Sequence, residues 1–105
     1  MAGPPRWQDP GLDEAALEVA RRVRGALAAL GGLGQERWVG YLEPLLPAFE
    51  DGDQADLLAA CRRARAAFGP RDSLSEAWPS DDAPLLRDSI DRLQRLLDRR
   101  TALRS

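Results

Sequence analysis

Val19, Val23, Val39, Ile90 and Thr101 are the only β-branched residues of this chain. Strands draw on β-branched and aromatic side chains, which pack well on a pleated, half-buried surface. With 6% aromatic residues and almost no β-branched ones, the chain lacks the material for a sheet. Leucine, alanine, arginine and the two acids fill the remainder, and all but aspartate lose little freedom in a helix. An all-α fold follows.

The spacing of apolar residues agrees. Leu12, Ala16, Val19, Val23, Leu27 and Leu30 recur at intervals of three and four, which is one face of a helix. Asp9 before Pro10 is a start signal and Gly31-Gly32 a stop signal. A second helix from near Gln35 turns Trp38, Leu42, Leu45 and Phe49 inward. Pro44 and Pro47 each remove a ladder hydrogen bond, so this helix is expected to bend around residues 43 to 47. Asp53 caps a third helix that buries Leu57, Leu58, Cys61, Ala64 and Phe68 and ends at Gly69-Pro70. Ser73 and Glu76 have capping-box spacing, which predicts one helical turn through Trp78. A last helix from about Pro84 to Leu103 carries Leu86, Ile90, Leu93 and Leu97 inward, with Asp88–Arg92 and Asp91–Arg95 pairs on its wet face. Connections this short predict an antiparallel four-helix up-and-down bundle with a kinked second helix. Residues 1-10 read as a flexible N-terminal arm containing Trp7, and residues 11-105 as a single helical domain, a size that buries roughly two-thirds of the extended surface.

Composition excludes much chemistry. Histidine is absent, and with it the Ser-His-Asp and Cys-His arrangements and the Glu-x-x-His ligands of bundle metal sites. Gly31-Gly32-Leu33-Gly34 has neither the preceding strand nor the lysine that a phosphate-binding loop needs. Cys61, the single cysteine, lies on an apolar stripe and reads as a small buried hydrophobe. No enzyme activity, cofactor or metal is expected. No run is apolar enough to span a membrane, and Met1 to Pro10 has no secretory apolar stretch, so a cytoplasmic protein is expected.

All 15 positive charges are arginines, set against 17 acids for a formal net charge of -2. Arg62, Arg63 and Arg65, and Arg99, Arg100 and Arg104, suit phosphate recognition, yet residues 36 to 84 are acidic and nucleic acid is not the expected partner. In an up-and-down bundle the chain start, the turn at residues 50–53 and the C-terminus share one end. There Asp9, Asp13, Glu50, Asp51 and Asp53 meet Arg99, Arg100 and Arg104. The opposite end carries the loop from Gly69 to Pro84, where Asp72, Glu76, Asp81 and Asp82 face Arg71 and, from the neighbouring connection, Arg37. With Leu74 and Trp78 these acids form a candidate partner-binding surface: Asp72, Leu74, Glu76, Trp78, Asp81 and Asp82. Acids steer a basic partner and tryptophan anchors it. The competing expectation is that Leu74 and Trp78 fold back and plug the core.

Phe68-Gly69-Pro70-Arg71-Asp72-Ser73-Leu74-Ser75-Glu76-Ala77-Trp78 resembles a segment found in a family of small bacterial helical proteins of unknown function. There a Gly-Gly-Met-Gly-Ser-x-Asn-Asp-Leu stretch lies between two helices. Gly69, Ser73 and Leu74 agree with it, and Trp38 fits the family's tryptophan early in the second helix. Pro70-Arg71-Asp72 and Ser75-Glu76 depart from it. The resemblance implies a role like that of immunity or antitoxin components, with this loop organising a recognition surface.

The function expected is a small non-enzymatic protein-binding module, of the immunity or antitoxin type, that occludes a basic toxin or enzyme. The alternatives are a structural helical module that assembles as a homodimer and, third, an enzyme using carboxylates and a divalent metal.

Overall fold

The computed structural model describes residues 6–69 and 73–104, with the side chains of Trp7 and of residues 101–104 left undescribed. A 3-10 turn, Arg6–Gln8, leads into α1 (Pro10–Gly32). Then come α2 (Glu36–Leu42), a 3-10 turn (Glu43–Leu45), α3 (Leu46–Asp51), α4 (Gln54–Ala66), α5 (Leu74–Ala77) and α6 (Asp82–Arg104). No strand occurs among the described residues, so the expected all-α class holds.

Local chemistry sets most of the boundaries. Asp9 is the N-cap of α1, and its carboxylate accepts from Gly11 N at 3.1 Å and Leu12 N at 3.2 Å. α1 stops at Gly32, within the expected Gly31-Gly32, but the glycine that closes it lies two residues further on. The helix runs through both, and Gly34 takes the left-handed conformation at φ 71. Gln35 N then donates to Leu30 O at 2.9 Å and Gly34 N to Gly31 O at 3.2 Å, the paired closure that a glycine at this position permits. Asp53 caps α4 as expected, in a reciprocal box with Asp56.

The second helix tightens where its prolines stand. Pro47 has no N–H for the carbonyl of Glu43, and Leu46 N takes that carbonyl instead in a three-residue turn. Helical backbone therefore continues from Glu36 to Asp51 with a 3-10 step at Glu43–Leu45.

Two expectations fail in the second half of the chain. Ser73 sits at the N-cap of α5 but makes no side-chain capping bond. Instead Leu74 N donates to Ala67 O at 2.7 Å and Leu74 is fully buried. Burying a leucine gains about 2 kcal/mol against roughly 1 for a serine cap, so the core places this turn. On α6, Asp91 pairs not with Arg95 but with Arg65 of α4 at 3.0 Å. Asp88 and Arg92 form no ion pair with each other either. α6 also starts at Asp82, two residues before Pro84, which a first helical turn tolerates.

α1 packs against α2, α3 and α6, and α4 against α3 and α6, so the four long segments close a ring around one core. α1 and α6 run in opposite directions. Asp9 at the start of one meets Arg100 near the end of the other, while Glu18 and Arg22 line a groove with Leu85 and Asp88. Trp38 is in the core as expected, edge-on to Tyr41, whose hydroxyl donates to the carbonyl of Arg63 at 2.6 Å.

The expected N-terminal arm needs correction from Arg6 onward. Arg6 is only 4% exposed, with Nε donating to Asp13 Oδ1 at 2.7 Å and Nη1 to Ala48 O at 3.1 Å. Ala48 O lies in the last turn of α3, where a cation meets the negative end of a helix. The guanidinium therefore fastens this turn to α1 and α3. Residues 1–5 and the Trp7 side chain lie outside the described residues.

Candidate binding surface at the loop end

The antiparallel α1–α6 pair brings the segment before α6 over the second half of α1 and beside the start of α2. Two surface clefts result. One, of about 360 Å³, is lined by Glu18, Arg21, Arg22, Gly25, Trp78 and Asp82. The other, of about 270 Å³, is lined by Gln35, Arg37, Trp38, Ser73, Glu76 and Ala77.

The six candidate residues divide three ways. Asp72 lies outside the described residues. Glu76, Asp81 and Asp82 are exposed. Leu74 is fully buried and Trp78 only 5% exposed, which corrects their assignment as exposed anchors. α5 folds back onto α6, and the two apolar side chains join the core rather than face solvent. Trp78 still contributes to the lining of the larger cleft. Of the exposed acids, Asp82 lines the cleft with Trp78, and Glu76 lines the other cleft.

Charge at the two ends of the molecule is handled differently. Where the chain start, the α3–α4 turn and the end of α6 meet, Asp9 pairs with Arg100 at 3.0 Å and Asp13 with Arg6 at 2.7 Å. Glu50 pairs with Arg24, and Asp56 serves the capping box, while Asp51 has no ion pair among the described residues. At the loop end Glu36, Glu76, Asp81 and Asp82 make no ion pair among the described residues. Arg37 stands near Glu76 but lies over the Trp38 ring, 5.2 Å from its centre.

Sequence reasoning missed the contribution of α1 to this end. Glu18 accepts from Arg21 and, at 2.8 Å, from Arg22, so one carboxylate holds two guanidinium groups. The hydrogen bond from Arg21 and the positive charge of both arginines hold the Glu18 carboxyl below its ordinary range. Glu18, Arg21, Arg22 and Gly25 follow the spacing i, i+3, i+4, i+7, one helix face opposite to none of the apolar signal but adjacent to it. That spacing was a legible sign, obscured because the loop's position over α1 is a tertiary fact.

Other chemistry-bearing groups are accounted for by packing. Cys61 is fully buried, and burial pushes its thiol up to about 12, so it keeps its proton at neutral pH. Arg65 is paired with Asp91, and Arg63 lies 5.8 Å from the Tyr41 ring centre. Among the described residues no three cysteine, aspartate or glutamate side chains gather as a metal-binding group. No helix of the described residues is long and apolar enough to cross a membrane.

No protein-family model matches the chain, and no curated protein and no solved structure is significantly similar to it.

Proposed function

We propose that this protein is a non-enzymatic, cytoplasmic binding module that docks a basic protein partner on its loop end, in the manner of an immunity or antitoxin component occluding a toxin or enzyme. The observation that carries the reading is the uneven pairing of charge. Asp9 and Asp13 are in ion pairs at the chain-start end, whereas at the loop end Glu36, Glu76, Asp81 and Asp82 have none among the described residues. Unpaired acids gathered on one surface cost self-repulsion in the free protein, and a basic partner relieves it while being steered toward the surface. The resemblance of the Phe68–Trp78 segment to small bacterial helical proteins supports the same role.

The test is affinity capture from the native host with the parent and with a Glu76→Ser/Asp81→Ser/Asp82→Ser variant. All three side chains are exposed and make no ion pair among the described residues, so the variant keeps its fold. Loss of a salt-sensitive captured protein supports the reading. Identical capture by both proteins sinks it.

A further inference from the structure

The two flanks of α6 are committed within the molecule, Asp91 to Arg65 of α4 and Arg100 to Asp9 at the start of α1. Between those flanks runs an exposed stripe: Asp81 just ahead of the helix, then Leu85, Asp88, Arg92, Arg95 and Arg99. Its steps of four, three, four, three and four form the heptad seam along which one helix meets another. Leu85 is 44% exposed, and the charged members make no ion pair among the described residues. Acids fill the first half of the stripe and arginines the second. Position 90 is its midpoint, with Asp88 and Arg92, Leu85 and Arg95, and Asp81 and Arg99 each equally far from it. α1 repeats the arrangement alongside. Counting eleven residues inward from each partner of the Asp9–Arg100 pair sets residue 20 of α1 beside residue 89 of α6. Residue 20 is the midpoint of Glu18 and Arg22, which line the groove with Leu85 and Asp88. On both helices, then, acid and base straddle one line.

We infer that this face is the interface of a homodimer, in which a second copy lays its α6 antiparallel along the first with a twofold axis on that line. A twofold axis makes every contact reciprocal. Asp88 then faces Arg92 of the second copy and Asp81 faces its Arg99, each pairing occurring twice. Leu85 lies against the methylene stem of Arg95, which covers apolar surface while its charge stays in water. Glu18 and Arg22 oppose their mates in the same sense. The order of charges selects this occupant. A parallel second copy would set acid on acid and arginine on arginine, and a uniformly basic partner would meet Arg92, Arg95 and Arg99. The dimer goes beyond the docking reading and does not depend on it. Its two loop ends lie at opposite ends, and of their acids Asp81 alone is on the stripe, which leaves Glu36, Glu76 and Asp82 for a basic partner.

The test is sedimentation equilibrium of the full protein at about 0.5 mM in about 0.05 M salt, where exposed charges are weakly screened. The parent is expected to contain dimer, and to shift toward monomer at about 0.5 M salt. Asp88→Arg and Arg92→Asp each set like charges against one another at two symmetric places, so each raises the dissociation constant about tenfold or more. Mixed in equal amounts, these two self-repelling variants again oppose acid to arginine at every such place. The mixture therefore regains dimer to about the level of the parent, and so does the double variant Asp88→Arg/Arg92→Asp. Both side chains are exposed, so the single variants keep the melting temperature of the parent. The mixture adds a check that loss of fold cannot mimic, because each component is monomeric alone. A parent that is wholly monomeric under these conditions overturns the inference. Single variants that dimerise as the parent does, or a mixture no more dimeric than its components, overturn it equally.

Discussion

The two oxygens of Asp9 serve different helices: Oδ1 caps the first backbone N–H groups of α1, and Oδ2 accepts from Arg100 Nη1 of α6 at 3.0 Å. One carboxylate thus starts the first helix and holds the last against it. The functions separate by mutation. Asp9→Ala loses both and is expected to cost about 1–2 kcal/mol, most of it the cap. Asp9→Ser keeps a capping oxygen and loses the half-exposed ion pair, worth under ~1 kcal/mol. Urea unfolding of the two variants gives the difference, and equal losses would show that the cap contributes nothing.

Two glycines respond in opposite directions to the same added methyl group. At Gly25 a Cβ meets open space, so Gly25→Ala stabilises by about 0.5–1 kcal/mol through helix propensity. At Gly52, which is buried, a Cβ would stand 2.7 Å from Ala48 O and 2.9 Å from Ala48 Cα, both backbone atoms that cannot step aside. Gly52→Ala therefore opens the α3–α4 turn, at a cost of about 1–3 kcal/mol. Thermal melts decide both, and a shared sign would refute the local geometry.

Interactions confined to neighbouring residues were legible in the sequence. The Asp9 cap, the Asp53 cap, the bend at Pro44 and Pro47 and the inward stripes of the long helices depend on atoms within a few positions of one another. Long-range competition was not legible. Asp91 had an arginine four residues on, yet Arg65 of α4 takes it, because two helices packed side by side offer a partner that one helix viewed alone does not contain. Arg6 belonged to the expected flexible arm, whereas Asp13 and the α3 carboxyl end accept from its Nε and Nη1 and its side chain is buried, with Nη2 left unpaired. Leu74 and Trp78 carried two readings, plug or anchor, and packing against the core decides for the plug. Of the candidate surface, the acids Glu76, Asp81 and Asp82 were legible because short polar loops stay exposed. The cleft beside Trp78 and Asp82 was not, since four of its six lining residues come from α1.

Cys61 gives the stability a distinct alkaline signature. In the unfolded chain its thiol ionises near 9.0, while burial in the fold pushes that ionisation up to about 12. Between those values the folded state holds a proton that the unfolded state has lost, so stability falls as pH rises. The slope from this group is at most ~1.4 kcal/mol per pH unit, and below the unfolded value it contributes none. Cys61→Ala removes that slope. Urea midpoints of parent and variant at about pH 8 and about pH 10.5 measure it, and the parent should lose more between the two than the variant does. Equal losses would mean that the thiol is hydrated in the fold.

The acidic docking surface is tested most directly by the salt dependence of association. Once a partner has been captured and purified, its association rate with the parent and with the Glu76→Ser/Asp81→Ser/Asp82→Ser variant is measured by biosensor from about 0.02 to about 0.3 M salt, a range over which screening of exposed charges becomes strong. The expected result is a rate that falls steeply with salt for the parent and a lower, flatter dependence for the variant, with dissociation rates changed much less. Parallel curves for the two proteins would contradict it, and the loop end would then not be where the partner arrives.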